Sequence, residues 1–314
     1  MSALLVIIAF LMLAIGLFVL ALSSNYLITA IVRVAEIIRI PEFIISAIIL
    51  SLISGVPELT NNFISAFKGV ISLGIGNLIG SSIISITVAV GIVHLFSKEK
   101  KIKDNSHSRI LLFLLVPIAL FLLFSMNGVI GRLEGLTLLS AYVGFQYFLI
   151  QKGISKSAKS ISSRRLILPY LMIPLSVFCV VVGGYLVVDT ASTLANLAGL
   201  TSSAIGLTFV AFGTAVPEII QSISSVIRKR SDVTLGTSIG GLSVYLMLIM
   251  GLIAVVFTIP IKITDFMIPA ILLAVAIIFY FTYTEITKKT DKFLGFTLLL
   301  LFLLHLILNL VIQI

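Results

Sequence analysis

Apolar runs long enough to cross a bilayer recur along the whole chain and alternate with short polar segments. A helix needs about 20 predominantly apolar residues to span the ~30 Å of hydrocarbon in a membrane. Hydrophobic residues make up 60% of the 314 positions, and the mean hydropathy is +1.26. We therefore predict an all-α polytopic membrane protein with ten transmembrane helices. The predicted spans lie near residues 4–22, 43–67, 70–96, 110–126, 133–150, 166–188, 203–227, 233–258, 267–283 and 293–312.

Lysine and arginine gather in alternate loops. Of the 21 basic residues, 18 fall in the odd-numbered loops between the predicted spans, and only Lys68, Arg132 and Lys262 fall in even-numbered loops. The positive-inside rule then places the odd loops in the cytoplasm and both termini outside the cell. Topology thus accounts for the net charge of +9. We expect a multi-pass protein of the cell membrane whose partner is the lipid bilayer, with no role for nucleic acid.

The chain contains an internal repeat. Residues 53–91 align with residues 213–251 at a constant offset of 160 without a gap, and glycines, prolines and glutamates match. We divide the chain into a first repeat, residues 1–155, and a second repeat, residues 156–314. Each half holds five predicted spans, and because five is odd the second half enters the membrane in the opposite sense. Inverted repeats with broken helices at the bilayer midplane are typical of secondary transporters.

Two glutamates lie in apolar surroundings, each directly after a proline. They stand in the segments Ser54-Gly55-Val56-Pro57-Glu58 and Thr214-Ala215-Val216-Pro217-Glu218. Proline lacks an N–H and disfavours helix at the preceding residue, so we predict helix breaks with free carbonyls and hydroxyls at both points. A carboxylate at membrane depth is costly unless something binds it. A lone proline is often only a kink, but the matched Pro-Glu pair indicates an ion site.

The third predicted span combines small and polar residues at helical spacing. Gly76 and Gly80 allow close approach of another helix, while Asn77, Ser81 and Ser85 carry oxygen ligands, the last two on one face. The eighth span keeps the glycines but is poorer in oxygen. It has Gly241 and Tyr245 at the positions that correspond to the two serines, and Tyr245 either fills volume in the site or packs as an ordinary aromatic residue. We expect two half-sites that are not equivalent.

A Pro-Glu step at a broken helix is followed some twenty residues later by a Gly-Asn-x-x-Gly-Ser pattern in the first half, and the second half repeats this arrangement in part. This arrangement resembles the sodium/calcium exchangers of the cation/Ca²⁺ antiporter superfamily, in a divergent prokaryotic-type form. The specific part of the resemblance is confined to residues 46–91 and 206–251, which match the two alpha-repeats of that family. The resemblance implies that Glu58 and Glu218 are the principal acidic ligands, with Ser54, Ser81 and Thr214 in or beside the cluster.

Several positions depart from the family pattern. Gly55 and Ala215 replace the usual serine before the Pro-Glu step, which leaves only the backbone carbonyl as a ligand there. Ser85 and Tyr245 stand where the family usually has Asn or Asp, so only two carboxylates remain for Ca²⁺, which normally takes 6–8 oxygens. The complete set of candidate metal ligands is Glu58, Glu218, Ser54, Gly55, Ser81, Ser85, Asn77, Thr214, Ala215 and Tyr245.

These observations predict a secondary active cation antiporter that exchanges Na⁺ for Ca²⁺ by alternating access, with no cofactor. The resemblance implies that the first and sixth spans are candidates for its sliding element. Two carboxylates held close together repel, so one of them readily holds a proton. An H⁺-coupled Ca²⁺ or cation antiporter, or a transporter retuned for another cation, is therefore the alternative. We do not expect an enzyme, because the chain lacks zinc-protease and phosphate-binding motifs, and a passive channel fits an asymmetric two-glutamate site less well.

Overall fold

The computed structural model describes residues 3–37, 51–97, 100–101, 110–153, 168–227 and 231–312. The start of the predicted second span and the polar segment between the two halves lie outside these residues. The described chain is almost entirely helical. Its helices are α1 Ala3–Ile37, α2 Ser51–Ser54, α3 Val56–Phe67, α4 Ile71–Ile84, α5 Val90–Phe96, α6 Leu115–Ser125, α7 Arg132–Gly153, α8 Leu168–Ala198, α9 Ser202–Ile205, α10 Ala211–Thr214, α11 Val216–Ile227, α12 Ser231–Ser243, α13 Met250–Val256, α14 Ile263–Thr287 and α15 Lys292–Ile312.

Three π-helical turns join helices end to end without a loop. They are Ser85–Ala89 between α4 and α5, Gly206–Val210 between α9 and α10, and Val244–Ile249 between α12 and α13. A π turn contains one extra residue relative to an α-helix and rotates the side chains that follow it. The sequence pattern did not predict these turns.

Six helices in the described residues are long and apolar enough to cross a membrane, and a bent pair makes a seventh. The predicted class, an all-α polytopic membrane protein, is confirmed, whereas the count of ten spans stays a prediction. The six are Ile71–Phe96, Arg132–Gln151, Met172–Leu197, Thr234–Val256, Ile263–Thr287 and Lys292–Asn309, and the bent pair is Ser202–Thr214 with Val216–Ile227.

Two of these spans form the centre of the protein. The most apolar stretch of Ile71–Phe96 is 89% buried and that of Thr234–Val256 is 78% buried, against 28–39% for the other four. Because lipid-facing helices leave much of their surface uncovered, the low values mark the outer layer. The polar residues of the two central spans are therefore enclosed by protein.

The element boundaries repeat at the spacing found in the sequence. Helices α3 and α11 have 12 residues each and begin 160 positions apart, at Val56 and Val216. The π turns that begin at Ser85 and Val244 differ from this spacing by one residue. The strands β2, Val129–Ile130, and β4, Lys289–Thr290, follow it without a shift. The repeat is thus present in local structure as well as in residue identity.

Two short antiparallel ladders join the first half of the chain to the second. Strand β1, Lys100–Lys101, pairs with β4, and β2 pairs with β3, Ile259–Pro260. Among the described residues, α6 lies between β1 and β2, and α14 separates β3 from β4. The two ladders therefore tie the halves together at opposite ends of the helices between them.

Helices α1 and α8 pack closely against each other. A Cβ atom added at Gly16 would lie 3.1 Å from Val187 Cγ2, and one added at Gly183 would lie 3.0 Å from the backbone nitrogen of Leu20. Small residues at such crossings let two helix backbones come into direct contact. These helices share an apolar cluster that includes Leu13, separate from the main core.

Candidate functional site

Glu58 and Glu218 lie in the first turns of α3 and α11, directly after the prolines that stand second in these helices. Glu58 is fully buried and Glu218 is 8% exposed. The two carboxylates come from different halves of the chain and are close enough to interact electrostatically. A helix N-terminus favours a negative charge, but it does not remove the cost of enclosing two of them. The structure thus brings the two predicted acidic residues together.

The predicted breaks fall at Gly55 and Ala215. The second break bends the chain by 43° between Ser202–Thr214 and Val216–Ile227. The carbonyl oxygen of Gly55 accepts the N–H of Leu59 at 2.8 Å, and that of Ala215 accepts the N–H of Ile219 at 3.0 Å. Each of these carbonyls therefore has one lone pair already engaged in the helix that follows.

Proline frees a different pair of carbonyls. Pro57 and Pro217 supply no N–H to the carbonyls four residues earlier, which belong to Ile53 and Gly213. Because each lacks the N–H that a residue other than proline would donate, these two oxygens are candidates for backbone ligands.

Polar residues from both halves surround Glu58. The hydroxyls of Thr214 and Ser81 are its neighbours and lie 3.1 Å from each other. Thr214 also donates a hydrogen bond of 2.9 Å to Asn77 Oδ1, and Ser81 lies 3.4 Å from the same atom. Within the described residues, both oxygens of Glu58 and the Nδ2 of Asn77 are buried without a hydrogen-bond partner. Because buried polar groups are normally hydrogen-bonded, the buried carboxylate of Glu58 requires a ligand.

Glu218 has a different environment. The hydroxyl of Tyr245 donates a short hydrogen bond to its Oε1, while Oε2 has no partner among the described residues. Ser85, from the first half, lies beside it with a fully buried hydroxyl. A Cβ atom added at Gly241 would stand 3.3 Å from Glu218 Oε1. Tyr245 thus points into the site.

Two serines one helical turn apart serve different glutamates. Ser81 in α4 lies beside Glu58, whereas Ser85, the first residue of the π turn, lies beside Glu218. Tyr245 belongs to the equivalent π turn of the second half. Two of the side chains beside Glu218 thus lie in π turns, which nothing in the sequence pattern signalled.

The central helix α4 packs through backbone atoms against the segment Ser202–Thr214, which precedes the second break. A Cβ atom added at Gly76 would lie 2.6 Å from the carbonyl oxygen of Ser203, and one at Gly80 would lie 2.5 Å from that of Leu207. One at Gly206 would lie 2.2 Å from the carbonyl oxygen of Leu73. Only glycine fits at these positions, and the close packing fixes Asn77 and Ser81 against Thr214.

The remaining candidates are placed as follows. Ser54 is the last residue of α2, and its side chain lies outside the described part of the structure. In that part of the chain, no group of three or more His, Cys, Asp or Glu side chains lies together. The acidic part of the site therefore consists of Glu58 and Glu218. Sequence reasoning overlooked Asn61 and Ser65, which are fully buried on α3, one and two turns after Glu58.

Comparison with known proteins agrees with this architecture. A family model described as sodium/calcium exchanger protein matches residues 8–151 and 168–311. The sodium/calcium exchanger MaX1 of Methanosarcina acetivorans is 23% identical over 290 residues, which cover 77% of this chain and 81% of that protein.

Two solved structures share the fold over nearly the whole chain. The sodium-calcium exchanger NCX_Mj, soaked with Na⁺ and Sr²⁺, superposes with a TM-score of 0.68 at 22% identity and covers 95% of this chain and 98% of its own. The H⁺/Ca²⁺ exchanger CAX superposes with a TM-score of 0.77 at 15% identity and covers 97% and 84%. At these identities the likeness extends to the fold alone.

Proposed function

Because the chain belongs to the sodium/calcium exchanger family, we propose that it is a secondary active antiporter that exchanges Na⁺ for Ca²⁺ across the cell membrane. Both cations use the same site, so that occupancy by one excludes the other. Glu58 and Glu218 supply the negative charge, and Ser81, Ser85 and Thr214 supply neutral oxygens.

The observation that carries the proposal is the lack, among the described residues, of hydrogen-bond partners for most oxygens of the buried Glu58 and Glu218 carboxylates. Three of their four oxygens are buried without a hydrogen-bond partner in the described structure, and the fourth accepts the hydroxyl of Tyr245. Carboxylates, hydroxyls and carbonyls are the hard oxygen ligands that Na⁺ and Ca²⁺ require. A cation bound between the two glutamates would offset the cost of their burial.

The ten spans, the opposite orientation of the two halves and the external termini are part of the proposal. The two ladders support it, because each joins loops that the positive-inside rule assigns to one face. The loop at Lys100–Lys101 pairs with that at Lys289–Thr290, both on the predicted cytoplasmic side. The loop at Val129–Ile130 pairs with that at Ile259–Pro260, both on the predicted outer side. In this topology, the site lies near the midplane where the halves meet.

A proton-coupled exchange is the second candidate. Two buried carboxylates that are close enough to interact electrostatically favour binding of a proton when no metal is present. Protons would then replace Na⁺ as the driving ion while Ca²⁺ occupied the same oxygens.

Uptake of radioactive Ca²⁺ into proteoliposomes tests the proposal. Vesicles loaded with Na⁺ and diluted into Na⁺-free medium should take up Ca²⁺, and Glu58→Gln or Glu218→Gln should abolish the uptake, since an amide cannot offset the dehydration of Ca²⁺. Glu285→Gln is the matched control, because Glu285 pairs with Lys288 at the end of α14. Uptake driven only by an outward H⁺ gradient would favour the second candidate, and glutamate-independent uptake would refute both.

A further inference from the structure

Helix α3 carries a row of buried polar residues that continues beyond the site. Glu58, Asn61 and Ser65 stand at spacings of three and four residues and therefore share one face. All three are fully buried. Both amide atoms of Asn61 and the hydroxyl of Ser65 have no hydrogen-bond partner in the described structure. Unpartnered polar atoms at such depth are costly, which requires an explanation beyond packing.

We propose that Asn61 and Ser65 form an access site for cations, through which Na⁺ or Ca²⁺ with part of its water shell passes between the outer face and Glu58. This inference rests on the proposed function. The row from Glu58 to Ser65 covers about 10 Å of helix, at 1.5 Å per residue. It ends one turn before Lys68, which lies in a predicted outer loop. An amide and a hydroxyl replace part of the water around a cation without holding it tightly, because neither is charged.

Helix α8 covers this row. A Cβ atom added at Gly184 would lie 3.0 Å from Asn61 Oδ1 and 2.8 Å from Thr60 Cγ2. The absence of a side chain at Gly184 allows α8 to lie directly on α3. The adjacent Gly183 packs against Leu20 of α1, so α8 and α1 must move as a unit for the row to become accessible.

An ion pair holds α8 over the outer end of the row. Lys68 Nζ lies 2.5 Å from Asp189 Oδ1 and 3.9 Å from the centre of the Tyr185 ring. The Asp189 side chain is 57% exposed and that of Lys68 is 23% exposed. Exposed pairs contribute little to stability, which suits a contact that must break in every transport cycle. We call Lys68, Asp189 and Tyr185 the outer latch.

Thiol labelling tests whether the row is reached from outside. Cys179 is the single native cysteine, so Cys179→Ser provides a cysteine-free background. Ser65→Cys then places a nearly isosteric thiol in the row. Ser82→Cys is the matched control, because Ser82 is equally buried on α4 but bonds to the Leu78 carbonyl and is not part of the row. The probe is a membrane-impermeant, cationic methanethiosulfonate reagent added to right-side-out proteoliposomes.

The cysteine at position 65 should react faster than the one at position 82. Asp189→Asn should accelerate the reaction roughly two- to fivefold, because it removes only a partly exposed ion pair. External Ca²⁺ should slow the reaction at position 65. Equal rates at both positions under all conditions, or a rate at position 65 that ignores both Asp189→Asn and Ca²⁺, would overturn the proposal.

Transport provides the second measurement. Asn61→Leu should raise the KM for external Ca²⁺ about tenfold, since a ligand of the access path is lost, while equilibrium Ca²⁺ binding to the solubilised protein stays within about twofold. Asn61→Ser, which keeps a hydroxyl, should restore part of the loss. Loss of equilibrium binding in Asn61→Leu would instead assign Asn61 to the central site. Labelling does not require Ca²⁺ transport, so a failure of the proposed exchange reaction would be distinguishable from a failure of the access site.

Discussion

The hydroxyl of Tyr245 donates a hydrogen bond to Oε1 of Glu218, whereas the hydroxyls beside Glu58, those of Ser81 and Thr214, bond to each other and to Asn77. Tyr245 stands at the position equivalent to Ser85 in the first half, 160 residues earlier. The two halves therefore supply equivalent carboxylates but unequal neighbours. One glutamate is partly satisfied by the protein itself, and the other depends on what it binds.

Tyr245→Phe should increase the apparent affinity for Ca²⁺. Loss of the hydroxyl leaves Glu218 less stable when no cation is bound, so binding becomes more favourable. A hydrogen bond to a charged group contributes about 1.5–3 kcal/mol, which predicts a KM for Ca²⁺ at least about tenfold lower. The measurement is the Ca²⁺ dependence of uptake at alkaline pH, where protons compete least.

Tyr142→Phe is the control for this substitution. Tyr142 is a buried tyrosine on α7, outside the site, so its loss should leave the KM unchanged. A higher KM in Tyr245→Phe would contradict the prediction, and it would mean that the phenol oxygen is itself a cation ligand.

We predict that exchange is electroneutral. The acidic part of the site holds two carboxylates, so one Ca²⁺ or two Na⁺ would neutralise it equally. The membrane potential acts on net charge and contributes about 2.3 kcal/mol per elementary charge per 100 mV. Initial rates of Ca²⁺ uptake with the potential clamped by K⁺ and valinomycin at opposite signs should therefore agree. A clear acceleration by an inside-negative potential would contradict the charge count.

Local chemistry made the centre of the site predictable. Proline acts on its own neighbours through the missing N–H, so the breaks before Glu58 and Glu218 follow from the sequence. The repeat then implied that the two acids meet. The target of Tyr245 was not predictable, because it depends on a π turn, and the sequence left its role open between filling the site and ordinary packing.

Gly206→Ala should prevent correct folding or weaken it severely. A Cβ at this position would lie 2.2 Å from the backbone carbonyl of Leu73, which cannot move aside as a flexible side chain would. Overpacking of this kind costs about 1–3 kcal/mol or more. Gly144→Ala is the matched control, since nothing lies within 4 Å of its added Cβ. Monodispersity and apparent Tm in detergent distinguish the two. Equal apparent Tm values would contradict close packing between α4 and the segment Ser202–Thr214.

Asp291→Ala should lower the apparent Tm by a few degrees. Its Oδ1 accepts the N–H of Leu294 at 3.1 Å and caps α15, while Oδ2 accepts the Tyr283 hydroxyl at 2.7 Å and pairs with Lys289 at 3.0 Å. Loss of an N-cap costs about 1 kcal/mol. Asp291→Asn keeps an oxygen that can cap the helix and should lose less.

The carboxylate of Asp291 also predicts that the stability of the protein depends on pH. Burial alone would raise the pKa of Asp291, but the bonds from Tyr283, Lys289 and Leu294 outweigh it and hold the pKa below the ordinary value of 3.8. The stabilisation by the carboxylate is therefore fully present above pH 3.8 and is lost as the pH falls through the lowered value. The difference in Tm between wild type and Asp291→Asn should be constant near neutral pH and disappear in strong acid. A difference that grows on acidification would contradict this sign.

Contacts between distant segments were beyond the sequence. The sequence gives no indication that Asp189 pairs with Lys68, 121 positions away, as it does in the structure. Asn61 and Ser65 gave no signal, because a polar residue on a helix has no defined neighbour until the opposing helix is placed. The two ladders were likewise unforeseen, since a two-residue strand such as Lys100–Lys101 has no periodicity.

Those ladders also set the order in which the protein is completed during synthesis. Lys100 and Lys101 reach their partners only when Lys289 and Thr290 have been made, about 190 residues later. At roughly 5–20 residues per second, the first half waits on the order of ten to forty seconds with its strand unpaired. The first half must therefore persist in the membrane as an intermediate with an unpaired strand until Lys289 and Thr290 have been synthesised.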